Sequence, residues 1–358
     1  MSLVRANSRL MFQLFWPLLI VWFVLPSRAA GDTEALLNEL NRESPVNREK
    51  RLIEGAKKEG SVVIYSSENA TLLQGYEVAF AKRYPFIKAE FWRANGDRVG
   101  ARVLTEFRAR KLQADLVGLA FDVVNEIKAA GILMRYQSPE RKAYAEAFKD
   151  SDGYFTPTNL IHVVIGYNTK LVNPREAPKD YPDLLNPSWK GSVAIDAEPS
   201  RALMGWLKVW GEDKTRKYLE GLVRNGITVT RGHTLQAQLI CAGEYKLGVE
   251  LYFYTAAQLQ RTGCPLGIVY PHPTSVAPAQ SWAIPATAPH PHAAVLWYDY
   301  ELSEEAQRVL AKRDFVPTNR KVDTPLNKVP LLVVDPKVIL DQQAKWTKLY
   351  EELFTRAR

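Results

Sequence analysis

The stretch Ser61-Val62-Val63-Ile64-Tyr65-Ser66-Ser67-Glu68-Asn69 decides the fold. Its β-branched apolar run predicts a buried strand, and the run stops abruptly at a cluster of small polar side chains. The next residues carry Leu72, Leu73, Tyr76, Ala79, Phe80 and Tyr84 near helical spacing, and Pro85 ends them. Strand, polar turn and helix in this order form the geometry in which open α/β sheets bind ligands. Free amide N–H groups at the helix start, with Ser66, Ser67 and Asn69 beside them, favour an anionic or polar guest. The same residues also suit a plain N-cap, in which Ser or Asn satisfies orphan donors and binds nothing.

Outward from this run the alternation continues. A helix from Leu52 to Glu59 precedes it; a strand from Ile87 to Trp92, a helix from Val99 to Ala109 and a short strand from Leu116 to Leu119 follow. Thr156 to Asn168 reads as a long strand with no helix before it, suited to carry the chain from one domain to the next. A second alternating region has strands at Val193 to Ile195, Thr228 to Thr230 and Leu247 to Leu251. Its helices run from Leu203 to Trp210, Asp213 to Asn225, Thr234 to Ala242 and Tyr254 to Thr262. Leu266 to Tyr270 then extends toward Pro271-His272-Pro273, a return crossing, and Trp282 packs where a strand re-enters the first domain. Helices at Pro291 to Leu302, Ser303 to Arg313 and Val338 to Phe354 close the chain. The pattern predicts an α/β protein of two mainly parallel sheets flanked by helices, with a cleft between the domains. The expected division is 30–157 plus 271–320 for a discontinuous first domain, 158–270 for the second, and 321–358 for a C-terminal helical tail.

The ends and the composition narrow the function. Arg5 and Arg9 precede an apolar stretch from Leu10 to Leu25, and Ser27 and Ala29 suit a cleavage site, so residues 1–29 read as a secretory signal peptide. Its removal takes three arginines and no acid and lowers the formal charge from +8 to +5. Basic residues are scattered among acids and no nucleic-acid motif occurs, which excludes a nucleic-acid partner. Cys241 and Cys264 are the only cysteines. In an exported chain they make a candidate disulfide, with two unrelated thiols as the alternative; neither sits where it would carry a lipid anchor.

Several short passages then fall in a specific order: Glu59-Gly60-Ser61 through Ser67, Gly96-Asp97, Ala114-Asp115-Leu116, Asn186-Pro187-Ser188-Trp189-Lys190-Gly191, Ala242-Gly243-Glu244, Ala288-Pro289-His290-Pro291-His292-Ala293-Ala294 and Leu302-Ser303-Glu304-Glu305-Ala306-Gln307. Together they resemble the solute-binding proteins of bacterial ABC importers, in the branch typified by periplasmic ferric-iron binding proteins. The resemblance runs from about Arg51 to about Asn319. It implies the two-domain type II periplasmic-binding-protein fold and a periplasmic monomer without a cofactor or chemistry of its own. Such a protein closes on a small solute and docks onto a permease.

The family's ferric members use a His after the first strand, a Glu after the third and two adjacent tyrosines. Here those positions fall on Asn69, on or near Ala120, and on Phe253-Tyr254, with Tyr252 one step away. Losing a carboxylate and a phenolate removes most of the charge that hard ferric iron prefers. If a metal binds, Tyr252, Tyr254 and Glu250 are its candidates. The resemblance also implies an anion at two turns, Glu198-Pro199-Ser200-Arg201 and Thr230-Arg231-Gly232-His233-Thr234, where helix starts and two arginines suit carboxylate or phosphate. Arg93, Asp97 and Arg98 follow the second strand, either as ligand contacts or as an ion pair between domains. The expected solute is a small anionic carboxylate or phosphorylated compound. A ferric-iron binder with atypical ligands and an exported hydrolase are the rivals. Against the hydrolase, the chain has no Gly-x-Ser-x-Gly, His-Glu-x-x-His or Cys-x-x-Cys.

Overall fold

The computed structural model describes residues 30–40, 42–197, 201–272, 275–329, 332–333 and 336–355. The expected signal peptide, 1–29, and Ser200 lie outside the described residues. The chain opens with α1 (Ala30–Leu40) and α2 (Pro45–Glu59). It then alternates through β1 (Ser61–Ser66), α3 (Ala70–Arg83), β2 (Lys88–Arg93), α4 (Gly96–Arg108), β3 (Leu116–Leu119) and α5 (Phe121–Ala129). The long strand β4 (Phe155–Asn168) leads to β5 (Val193–Asp196), α6 (Arg201–Arg224), β6 (Thr228–Thr230), α7 (His233–Ala242), β7 (Leu247–Tyr252), α8 (Phe253–Arg261) and β8 (Leu266–Val269). The chain returns in β9 (Ser275–Ala283) and continues through α9 (Pro291–Leu302), α10 (Glu304–Ala311), β10 (Val316–Pro317), β11 (Leu332–Val333) and α11 (Pro336–Thr355). Gly211, at φ 76°, interrupts α6 between the two helices that the periodicity predicts there.

Strand directions place the cleft. β1 is parallel to β2 and β3, β9 is antiparallel to β3, and the first part of β4, Phe155 to His162, is antiparallel to β9. β4 therefore runs in the same sense as β1, β2 and β3. Its second part pairs antiparallel with β7 and β8, while β5, β6 and β7 are mutually parallel. The first half of the sheet sits at the start of β4 with its carboxyl ends pointing along it. The second half sits at the end of β4 with its carboxyl ends pointing back. Both sets of strand carboxyl ends thus face one gap, crossed by β4 and by the return from β8 to β9.

Each half is covered on both faces, as parallel strands require. In the first, α2, α3, α9 and α10 bury one core and α4 and α5 the other. In the second, α6 and α11 cover one face and α7 and α8 the other. Cys241 and Cys264 form a disulfide, Cα–Cα 5.3 Å, joining the end of α7 to the loop before β8. His290 and His292 do more than start a helix. Asp115 accepts His290 N–H at 2.6 Å and pairs with its Nδ1 at 2.8 Å, while Glu59 pairs with His292 Nδ1 at 2.7 Å and accepts Ala293 N–H at 2.8 Å. Two carboxylates from the sheet edge thereby satisfy the first turn of α9, and the Asp115 partnership holds the His290 imidazole above its ordinary range.

The tail reading of 321–358 needs correction. Trp346, Tyr350 and Phe354 recur at i, i+4 and i+8, and this apolar stripe is buried in the core of the second half. The Tyr350 hydroxyl donates to the Asp196 carbonyl at 2.6 Å. To arrive there the chain crosses a third time, with β10 on β4 and β11 on β9. Because Trp346 is fully buried, Trp346→Ala is expected to destabilise the protein by about 3–5 kcal/mol in urea unfolding. A loss below about 0.5 kcal/mol, the range of an ordinary surface substitution, would show that α11 is dispensable.

Candidate functional site

On the first-half wall, the polar turn after β1 is largely spent on the fold. Ser66 is buried; its hydroxyl donates to the Gly118 carbonyl at 2.9 Å and accepts Glu68 N–H at 3.0 Å. A Cβ on Gly118 would stand 2.8 Å from Ser66 Oγ, so this close approach needs glycine. The Asn69 carboxamide oxygen accepts Thr71 N–H at 2.9 Å and Leu72 N–H at 3.2 Å, capping α3. The expectation of free amides at this turn therefore yields to the plain N-cap. Gln280, from β9, approaches Ser66 Oγ and Ser67 Oγ at 3.4 Å each.

Glu68 carries no sequence signal that marks it as a site residue. Its carboxylate is buried, accepts Asn69 N–H at 2.8 Å and Asn159 Nδ2–H at 3.3 Å, and is pushed up to about 7, chiefly by burial. Asn159, on β4, is also buried, and its Oδ1 has no hydrogen-bond partner among the described residues. Arg93 is exposed at the end of β2, and its Nε donates to the Glu68 carbonyl at 2.6 Å. Asp97 lies exposed in the first turn of α4, and among the described residues neither Arg93 nor Asp97 forms an ion pair. Glu68 stood inside the run that decides the fold, whereas Asn159 and Gln280 lie on crossing strands with no local motif to mark them.

The second-half wall is built differently. Gly232, at φ 108°, is the N-cap of α7, and its N–H donates to the buried Asp196 carboxylate at 2.6 Å. No side chain caps α7, α8 or α5, in contrast to α3 and α4, which Asn69 and Asn95 cap. Arg231 is exposed beside the α7 start, and Arg201 opens α6. In β7, Glu250 adopts φ 67° where the pairing with β4 slips between Val164 and Gly166, a bulge that reverses the strand's alternation. Leu247, Val249 and Tyr252 consequently pack on one core and Leu251 on the other.

Aromatic rings link the two walls. His233 lies 4.0 Å from Tyr252, Tyr252 5.9 Å from Tyr254, and Tyr254 4.4 Å from Phe315, centroid to centroid. Tyr252 packs on the core of the second half and Tyr254 on that of the first. Phe253, at the family's other tyrosine position, packs with Leu160, Val316 and Leu326. Among the described residues no group of three or more His, Cys, Asp or Glu is arranged to hold a metal ion. Two surface grooves of about 900 and 1010 Å³ lie away from the gap, each lined from one half only.

Residues 115–339 match the family described as bacterial extracellular solute-binding protein. The chain belongs to that family. This solute-binding protein is 28% identical over 242 residues to Iron uptake protein A1 of Synechocystis, a match spanning 62% of this chain and 64% of the relative's length. Its fold is similar to that of iron-bound HitA from Pseudomonas aeruginosa, with TM-score 0.71, 16% identity, and coverage of 83% of this chain and 99% of the other. It is equally similar to AfuA from Actinobacillus pleuropneumoniae with fructose-6-phosphate bound, at TM-score 0.71, 23% identity, and coverage of 83% and 99%. These solute-binding structures share the two-domain periplasmic-binding-protein fold with this chain.

The raised Glu68 group has a measurable consequence. Between the unfolded value, about 4.3, and the folded value the native state holds a proton that the unfolded chain has released, so stability falls as pH rises across that window. Above about 7 the loss is complete, on the order of 3 kcal/mol. Glu68→Gln removes this titration, so its stability relative to the unmodified protein should improve from pH 4.5 to pH 8 in urea unfolding. A difference independent of pH would contradict the buried carboxyl.

Proposed function

We propose that this protein is the periplasmic solute-binding component of an ABC importer, a monomer without catalytic activity that takes a small anionic solute into the gap and delivers it to a permease. The observation that carries this reading is the convergence of strand carboxyl ends from both halves on one gap. They bring Arg93 from one side and Arg231 and the uncapped start of α7 from the other. Arginine suits a carboxylate or phosphate because its planar fork makes paired hydrogen bonds. AfuA, which shares the fold and carries fructose-6-phosphate, supports a phosphorylated solute.

The two halves are proposed as domains that close because the solute touches both only when they approach, shifting the equilibrium by its differential affinity. The ferric alternative is favoured by the relatives named for iron, but the donor set here is poorer. Asn69 is committed to capping α3, Ala120 replaces the carboxylate, and Phe253 packs in an apolar cluster.

Small-angle scattering and calorimetry with carboxylates, phosphate esters and ferric ion test the reading. Compaction is expected with an anion, and Arg231→Ala is expected to weaken that anion by about tenfold or more. A protein that colours with ferric iron through tyrosinate and ignores every anion would overturn it.

A further inference from the structure

All three crossings between the halves meet at one buried histidine. His162 is the last residue of β4 to pair with β9, opposite Val276, and the next residue, Val163, already pairs with Tyr252 of β7. It therefore stands where the strand passes from one half to the other. The return crossing places Tyr270 against its ring, edge-on at 6.1 Å between centroids. The third crossing brings the backbone of Leu326 beside it, and Phe253, at the start of α8, packs on Tyr270 at 5.8 Å.

Packing alone does not call for a histidine at this place. The residue is 1% exposed, and neither ring nitrogen has a hydrogen-bond partner among the described residues. Its neighbours Tyr270 and Leu326 lead into the apolar cluster of Leu160, Val316 and Phe253. A phenylalanine would fill the space and leave no polar atom unpaired. Among the described residues no acidic group forms an ion pair with the ring, in contrast to His290 and His292. The titratable and charged groups on the elements around it are Tyr252, Tyr270, the exposed His272 and the exposed Asp323. Burial pushes the Tyr270 phenol up to about 12, and Asp314, the one charge that acts on it, is paired with Arg261 at 2.5 Å.

We propose that His162 makes the crossing region a proton-operated hinge. In acid its ring takes up a proton, moves out past the partly exposed Tyr270 and loosens the return crossing, which opens the gap and releases the solute. The exit of the ring stands on the packing around it; the opening of the gap rests on the two-domain closure proposed above. The sign follows from burial, which opposes charge on the packed ring and pushes it down to about 4, against an ordinary value of about 6.5. Above the ordinary value both arrangements are neutral and the packed one is unaffected. As the pH falls from there toward 4, an arrangement with a hydrated ring binds the proton and gains, by roughly thirtyfold at pH 5.

The test needs no solute, because the proton itself is the probe. Hydrogen exchange on the full-length protein, corrected for the intrinsic pH dependence of exchange, is followed from pH 7.5 to pH 4.5 with small-angle scattering on the same samples. Residues 266–272 should lose protection by about tenfold or more by pH 5 while α3 and α9 keep theirs, and the radius of gyration should rise over the same range. In His162→Phe, which keeps the ring volume and removes the titration, both responses should vanish; His272→Gln should behave as the unmodified protein. Tyr270→Ala, which uncovers the ring, should move the response to higher pH by about one unit. Histidine-selective NMR supplies a readout independent of any variant's folding: the His162 ring should stay neutral well below pH 6.

A His162 ring that titrates at the ordinary value, or an acid response that persists in His162→Phe, would overturn the inference while the solute-binding reading stands. Loosening of residues 266–272 with a constant radius of gyration would overturn the opening of the gap, and with it the two-domain motion on which that step rests.

Discussion

The structure depends on a single reversal of strand sense along β4. Its first part pairs with β9 and its second part with β7, so one extended segment belongs to two halves whose parallel strands run in opposite directions. The carboxyl ends of parallel strands are where helices begin and where polar loops are tolerated. Facing two such edges toward each other concentrates the polar termini of the molecule in one gap. Their opposite edges are tied off: Asp115 and Glu59 hold the start of α9 at the far edge of the first half, and the Cys241–Cys264 disulfide does the same for the second.

Burial energetics explain why Arg93 and Arg231 lie exposed at the outer strands while Glu68 and Asp196 lie buried at inner ones. An arginine keeps its head in water by lying at an edge strand, with its stem along the surface. A carboxylate on an inner strand has no such exit. It persists only by accepting hydrogen bonds, as Asp196 does from Gly232 N–H and Glu68 from Asn69 N–H, or by taking up a proton. The left-handed backbone of Glu250 belongs to the same economy of position. A non-glycine residue at φ 67° is held against a cost of order 1–3 kcal/mol, and the bulge it creates returns Tyr252 to the face shared with Leu247 and Val249. Without that slip, strict alternation would turn Tyr252 toward the opposite core.

Much of this was legible in the sequence because the parallel strands are short apolar runs punctuated by capped helices. Periodicity located β1 to β8 and most helices, and the long run from Thr156 correctly stood out as a crossing strand. What periodicity lacks is partnership. Asn69 reads identically as a cap and as a ligand, and only the 2.9 Å bond to Thr71 N–H separates the two. His290 and His292 stand in a proline-rich stretch with no local partner, because Asp115 and Glu59, which pair with them, lie far back in the chain. The stripe Trp346, Tyr350 and Phe354 announced an amphipathic helix, but nothing local told which half it would cover. Asn159 and Gln280 carry no local motif, and their meaning appears only when β4, β9 and the turn after β1 converge.

The third crossing changes how the two halves can move. A pair of strands alone would act as a simple hinge, but here β10 and β11 pair with both crossing strands before α11 enters the second core. The ring series from His233 through Tyr252 and Tyr254 to Phe315 also spans the halves, ending on a buried residue just before β10. Aromatic pairs of this kind contribute roughly 0.5–1.5 kcal/mol each beyond burial, so a rotation that separated them would need an equal return from new contacts. Motion that keeps Tyr254 against Phe315 and swings the outer strands is therefore the least costly. Such a swing moves Arg93 and Arg231, on the outer edges, much farther than Glu68 or Asn159 near the axis. Under the proposed closure, these outer strands are the parts that would bring new contacts to a solute.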